Sequence, residues 1–87
     1  MHLDCTAVVS GIQCTWSAVP GGTDHVVILR STTGETRGRV LFPAAGANSM
    51  TDSTAVAGVT YIYLVHAEDP AGRSLAHSNA VTVSCCG

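Results

Sequence analysis

The segment Gly58–Ser74, GVTYIYLVHAEDPAGRS, decides the fold of this 87-residue chain. Between Thr60 and Ala67 its side chains alternate with a period of two, which predicts a β-strand. The following residues, Asp69–Gly72, are typical of a turn, because proline fixes φ and glycine permits positive φ. We therefore expect a hairpin. Its inward residues would be Tyr61, Tyr63, Val65 and Ala67.

The same segment contains an acidic pair, Glu68 and Asp69, at the predicted turn. Adjacent carboxylates on a turn point in different directions, so they are poor partners for acid–base catalysis. The sequence has no GxSxG nucleophile motif and no glycine loop that opens a helix to bind phosphate. Asp24 and His25 are adjacent in sequence and do not by themselves make a triad. We expect a protein that is not an enzyme.

The rest of the chain follows the same two-residue period, interrupted by clusters of Gly, Pro, Asn and Asp. Seven short strands with turn signals about every eight to twelve residues predict an antiparallel all-β sandwich. The length fits one domain over residues 1–87. The predicted strands are Leu3–Val9, Ile12–Ala18, His25–Arg30, Gly38–Phe42, Met50–Thr54, Thr60–Ala67 and Asn79–Cys85.

The segment CTWSAVPGGTDHVVILRSTTG, Cys14–Gly34, resembles the second and third strands of a fibronectin type III domain, with Trp16 as the core tryptophan. The resemblance covers about residues 5–85 and implies a seven-stranded fibronectin type III-like sandwich. Such domains serve as spacers, adhesion modules and accessory units, so the fold alone does not define a function. The other matching positions are Thr51, Asp52, Gly58, Tyr61, Val65, Ala67, Gly72, Ser74 and Ser78–Ser84.

The chain departs from this family in two ways. The family usually lacks cysteines at these positions, and the chain has one extra residue before the last strand. Four cysteines in a short chain indicate up to two disulfides and an oxidising compartment. The absence of a CxxC pair argues against a zinc site. We expect Cys5 and Cys14 to pair with Cys85 and Cys86; the alternative is Cys5–Cys14 plus a bridge between the two adjacent cysteines.

The charge composition is unusual. The chain has four arginines, no lysine and six acidic residues, and charged residues make up 11% of it, against about 25% in an average domain. This excludes a basic nucleic-acid-binding surface. No apolar run reaches the roughly 18 residues of a membrane span, and the N-terminal MHLDCTAVVSG lacks the features of a signal peptide. A surface with so few charges suits a domain packed against neighbouring proteins.

Alternation also predicts which apolar residues face outward. If the third and sixth strands are neighbours, as in fibronectin type III domains, Val27, Leu29, Ile62 and Leu64 form one exposed apolar patch. A contiguous patch indicates a protein interface. Carbohydrate is the less favoured partner, because only Phe42 of the four aromatic residues falls outside the predicted inward positions.

Three histidines, His25, His66 and His77, are predicted in a row across one sheet. Three imidazoles within reach of each other would suit zinc or another transition metal. The alternative is that they are solvated ends of strands. We expect no metal site and no cofactor.

Together these observations predict a non-catalytic structural or protein-interaction module, outside the cell or on a virion surface. Its partners would be neighbouring subunits of a large assembly, as for a decoration protein on a phage capsid or tail. The alternative is an accessory domain of a secreted bacterial hydrolase that binds substrate or spaces the catalytic unit. A small metal-binding protein or enzyme that uses the histidines is the third hypothesis.

Overall fold

A computed structural model describes residues 1–32, 38–44 and 46–86. They form a sandwich of two antiparallel sheets, one with strand order β1-β2-β5 and the other with order β4-β3-β6-β7, where β8 also pairs with β6. The predicted all-β class is confirmed, although the described residues form eight strands and not seven. The strands are β1 His2–Val8, β2 Gly11–Ser17, β3 His25–Thr32, β4 Arg39–Leu41, β5 Ser49–Asp52, β6 Thr60–Glu68, β7 Ser74–His77 and β8 Val81–Ser84.

The core lies between the sheets and follows the predicted alternation. On β6 every second residue is at most 3% exposed, because successive side chains of a strand point to opposite faces. Trp16 on β2 is 3% exposed and packs in the same core, as the resemblance implied. The described chain contains no helix with the length and apolarity needed to cross a membrane. The predicted turn at Thr33-Gly34 lies outside the described residues.

The predicted last strand, Asn79–Cys85, is shorter in the structure, where it is β8, and β7 is an additional strand that precedes it. Both β7 and β8 pair with β6, and residues 78–80 interrupt them. Ser78 preserves the hydrogen bonding at the break: its N–H donates to the Val65 carbonyl (2.8 Å) and its hydroxyl accepts from the Val65 N–H (2.9 Å). A polar side chain therefore replaces one backbone group of the ladder, which the sequence pattern did not reveal.

Asn79, the next residue, connects the two sheets. Its Oδ1 accepts a hydrogen bond from the N–H of Leu3 (2.9 Å), and its Nδ2 donates to the carbonyl of Leu3 (3.0 Å). The side-chain amide thus satisfies both backbone groups of a residue on β1. This pair of bonds fixes β1 against the break between β7 and β8.

The structure pairs Cys5 with Cys14 and Cys85 with Cys86, so the expected pairing of the N-terminal with the C-terminal cysteines is wrong. The reason is the register of the first hairpin, in which Cys5 and Cys14 lie directly opposite each other on β1 and β2. Near the C-terminus, the N–H of Cys85 donates a hydrogen bond to the carbonyl of Val59, and its carbonyl accepts one from the N–H of Gly58, beside β6. Two disulfides are typical of proteins from an oxidising compartment.

A buried ionic network also links the sheets. Asp52 at the end of β5 is 3% exposed, and its Oδ2 accepts hydrogen bonds from Arg30 Nη1 and the Tyr63 hydroxyl, both at 2.8 Å. Its Oδ1 accepts from the N–H and the hydroxyl of Thr54. The guanidinium of Arg30 lies 4.8 Å from the centre of the Tyr61 ring, a cation–π distance.

The pKa values of this network follow from its contacts. Burial alone would raise the pKa of Asp52, but the hydrogen bonds from Thr54, Arg30 and Tyr63 outweigh burial and lower it. Burial, together with the hydrogen bond to Asp52, raises the pKa of Tyr63. Asp52 is therefore held ionised, and Tyr63 is held protonated as its donor.

Candidate interaction surface

The outer face of the five-stranded sheet carries the predicted apolar residues. Leu29 lies opposite Leu64 on β6 and opposite Val40 on β4, so the three side chains share a face. Ile62 lies on the same face two residues before Leu64. Leu29 is 36% and Val40 44% exposed, while Ile62 and Leu64 are half-buried. The predicted patch therefore exists at three of its four positions and extends to Val40, a residue that the sequence did not single out.

A shallow groove of about 400 Å³ runs over this patch. Its lining is mostly aliphatic with a few polar residues, which is the usual composition of a surface that takes an apolar ligand or side chain. We call this feature the outer groove. It is lined by Leu29, Arg30, Ser31, Gly38, Val40, Ile62, Leu64 and Ala80.

The prediction that Val27, the fourth member of the patch, is exposed is wrong. It lies on the outer face, opposite His66, but it is only 7% exposed. Extending the register of β3 and β4 by one residue places Phe42 beside it on the other strand. A valine flanked by two larger side chains is shielded from solvent, so Val27 is not part of an accessible surface.

The aromatic residues are distributed as predicted. Trp16, Tyr61 and Tyr63 are buried, and Phe42 is 76% exposed. Phe42 does not line the outer groove. The surface therefore offers one isolated aromatic ring and no platform of several rings.

The predicted row of three histidines is only partly assembled. His66 and His77 are direct partners on β6 and β7, with ring centroids 5.9 Å apart. His25 lies opposite Glu68 instead, and its Nδ1 and Nε2 are 3.0 Å from Asp24 Oδ2 and 2.9 Å from Glu68 Oε1. These hydrogen bonds, first that of Asp24 and then that of Glu68, raise the pKa of His25. Within residues 1–32, 38–44 and 46–86, no three His, Cys, Asp or Glu side chains form a metal-binding group.

His25 also borders a second cavity, of about 340 Å³, formed mainly by the loop Val19–Asp24 and residues 46–48. An imidazole between two carboxylates resembles part of a catalytic triad, but both ring nitrogens are already occupied. The hydroxyl of Thr23, the nearest in sequence, donates to the Pro20 carbonyl at 2.7 Å. In the described part of the chain, no hydroxyl or thiol hydrogen-bonds to His25, so this cluster lacks the nucleophile that a triad requires.

The acidic pair at the turn after β6 behaves as predicted. Asp69 Oδ1 accepts hydrogen bonds from the N–H groups of Ala71 and Arg73, at 3.0 and 2.9 Å, and so caps its own turn. Glu68 binds His25. The two carboxylates have separate structural partners, and the turn only joins β6 to β7.

The two-sheet topology with a buried tryptophan on β2 defines an immunoglobulin-like β-sandwich. Among solved structures, a Fn3-like protein from Clostridium thermocellum is similar, with a TM-score of 0.68 and 24% identity over 98% of this chain and 88% of that one. The chain thus has a fibronectin type III-like fold, as the sequence resemblance implied.

A second similar structure is that of pectate lyase PelI from Erwinia chrysanthemi in complex with tetragalacturonic acid. Its TM-score is 0.74, with 24% identity over 93% of this chain. This chain matches only 27% of the length of that protein. No protein-family model matches the sequence, and no curated protein does.

Proposed function

We propose that this domain is a non-catalytic module of a secreted carbohydrate-active protein and packs against a neighbouring protein domain through the outer groove. The observation that carries the proposal is the groove itself: Leu29, Val40, Ile62 and Leu64 form a continuous aliphatic surface on a domain with very few charges. Contiguous apolar surface of this kind marks protein interaction sites, whereas isolated exposed aliphatic residues do not.

The likeness to the pectate lyase supports the proposal that the domain is part of a secreted carbohydrate-active protein. The matched region is 27% of the chain of pectate lyase PelI, so the same fold is compatible with a role beside a larger unit. The two disulfides fit a secreted protein, because disulfides persist in oxidising environments. The occupant we propose for the outer groove is therefore an adjacent domain with a complementary aliphatic or aromatic surface.

Amide hydrogen exchange tests the proposal by comparing the isolated domain with the native protein from its source. Amides of β3 and β6 around Leu29 and Leu64 are expected to exchange at least about tenfold more slowly in the native protein, because a partner excludes water from the groove. Leu64→Ser should abolish this additional protection. Leu75→Ser is the matched control, since Leu75 is equally apolar, 44% exposed and outside the groove. Equal exchange in both forms would refute the docking role.

The expectation of a decoration protein on a virion stays a prediction. The low charge content favours it, because such a surface is suited to burial in an assembly. Imaging of the native source separates the two settings: many copies on a particle support the virion, and one copy per enzyme chain supports the accessory module.

A role in substrate binding is tested by migration through a gel containing polygalacturonate. Retardation that Phe42→Ala removes would favour substrate binding over spacing.

A further inference from the structure

We propose that His66 and His77 form a surface binding site for a divalent transition-metal ion, with Zn²⁺ as the probe. The two residues are direct register partners on β6 and β7, so both rings stand on the outer face. Their ring centroids are 5.9 Å apart and their planes are inclined by 40°. Neither residue lines the outer groove, so this proposal does not depend on the proposed function.

The spacing of the rings fits a shared ion. A zinc–nitrogen bond is about 2.0–2.1 Å long, which puts the metal about 3 Å from each ring centre and separates the centres by about 5 Å at a tetrahedral angle. The observed separation exceeds that value by about 1 Å, which a small side-chain rotation removes. The strands themselves need not move.

The hydrogen bonding around His66 also suits a ligand. Its Nδ1 lies 3.2 Å from the hydroxyl oxygen of Ser74 on β7. When Nδ1 carries the proton and donates to Ser74, Nε2 is left with a free lone pair, the arrangement in which metal-binding histidines are usually held. His25 differs from His66, because carboxylates are hydrogen-bonded to both of its ring nitrogens and leave neither free for a metal.

His77 is exposed and His66 half-buried, so an ion reaches the pair directly from solvent. None of the described side chains hydrogen-bonds to the ring of His77, and its contact with His66 is between the two rings. With two protein ligands, the ion keeps its other coordination positions for water. Binding is accordingly weaker than at a closed four-ligand site, and it connects β6 to β7.

Titration of the protein with Zn²⁺, followed by NMR of the histidine ring protons and by calorimetry, tests the site. We expect one saturable ion per chain, with the largest shifts on His66 and His77. His66→Gln and His77→Gln should each weaken binding at least about tenfold, as loss of one of two ligands requires. His2→Gln is the matched control, because His2 is exposed on the other sheet. The affinity of this variant for Zn²⁺ should equal that of the wild type.

A second readout does not depend on ring signals. Zn²⁺ should raise the melting temperature of the wild type, because an ion that binds only the folded state stabilises it, and EDTA should reverse the effect. Neither glutamine variant should show this shift. Circular dichroism without metal verifies that the variants are folded. Absence of saturable binding, or binding that survives the double substitution of His66 and His77, would overturn the proposal.

Discussion

The inner and outer faces of β6 differ in how far their side chains are buried and hydrogen-bonded within the fold. On the inner face Tyr63 and Val65 are fully buried, and the Tyr63 hydroxyl donates to the network of Asp52 and Arg30. On the outer face Ile62 and Leu64 are half-buried beside an open groove. The comparison shows that the inner face determines stability, whereas the outer face is available for contacts with other molecules.

The largest expected effect comes from breaking the inner network. Asp52→Ala leaves the hydroxyl of Tyr63 without its acceptor and removes the carboxylate partner of Arg30, whose Nη1 keeps only the hydroxyl oxygen of Thr54. It should lower the free energy of unfolding by about 3–5 kcal/mol. Urea unfolding measures the loss. Tyr63→Phe, which removes one donor and leaves the ion pair, should cost only about 1–2 kcal/mol. A loss below 1 kcal/mol for the alanine variant would contradict the role of the network.

The same carboxylate gives the domain a defined acid sensitivity. The pKa of Asp52 in the folded state lies below its ordinary value of 3.8, so the unfolded chain binds the proton more tightly. Its contribution to stability is complete above the ordinary value and is lost as the pH falls through the lowered folded pKa. Asp52→Asn should flatten this part of the stability curve.

Adjacent residues on β3 give a smaller and sharper comparison. Ile28 is fully buried and faces inward, and Leu29 is 36% exposed and faces the groove. Ile28→Ala should cost about 2–5 kcal/mol, because it leaves a cavity in the core. Leu29→Ala should cost about 1 kcal/mol or less, because little apolar area leaves a buried environment. Similar losses for both variants in denaturant unfolding would contradict the assignment of the two faces.

The smallest expected effect concerns His25 at the edge of the outer face. Its raised pKa means that the imidazolium form is favoured in the folded state, so its contribution to stability is complete below the ordinary value of 6.5 and is lost as the pH rises through the raised pKa. An NMR titration of the ring should give a midpoint above 6.5. Asp24→Asn and Glu68→Gln should each lower this midpoint. An unchanged midpoint in both variants would contradict the role of the two hydrogen-bonded carboxylates in raising the pKa of His25.

The sequence predicted the class of fold and the inward faces because both depend on alternation, which is local. It predicted a row of His25, His66 and His77, of which the strand register makes only His66 and His77 direct partners. The disulfide pairing was missed, although Cys5 and Cys14 stand at equal distances from the first turn, a signal that hairpin register would have supplied.

Other features depend on contacts between distant segments. Arg30 occupies an inward position of β3, and a charged residue there requires a buried partner, but nothing local identifies that partner as Asp52. The shielding of Val27 likewise depends on the side chains that neighbouring strands place beside it. The break between β7 and β8 involves hydrogen bonds made by the side chains of Ser78 and Asn79, which no periodicity encodes.

The amide of Asn79 has a consequence for solubility. β1 is the outermost strand of its sheet, and an outermost strand presents unpaired N–H and carbonyl groups to which another chain can add. Asn79 occupies both groups of Leu3, as a single residue of a neighbouring strand would. One side chain therefore blocks strand addition at this edge, in a protein whose few surface charges give little electrostatic protection against self-association.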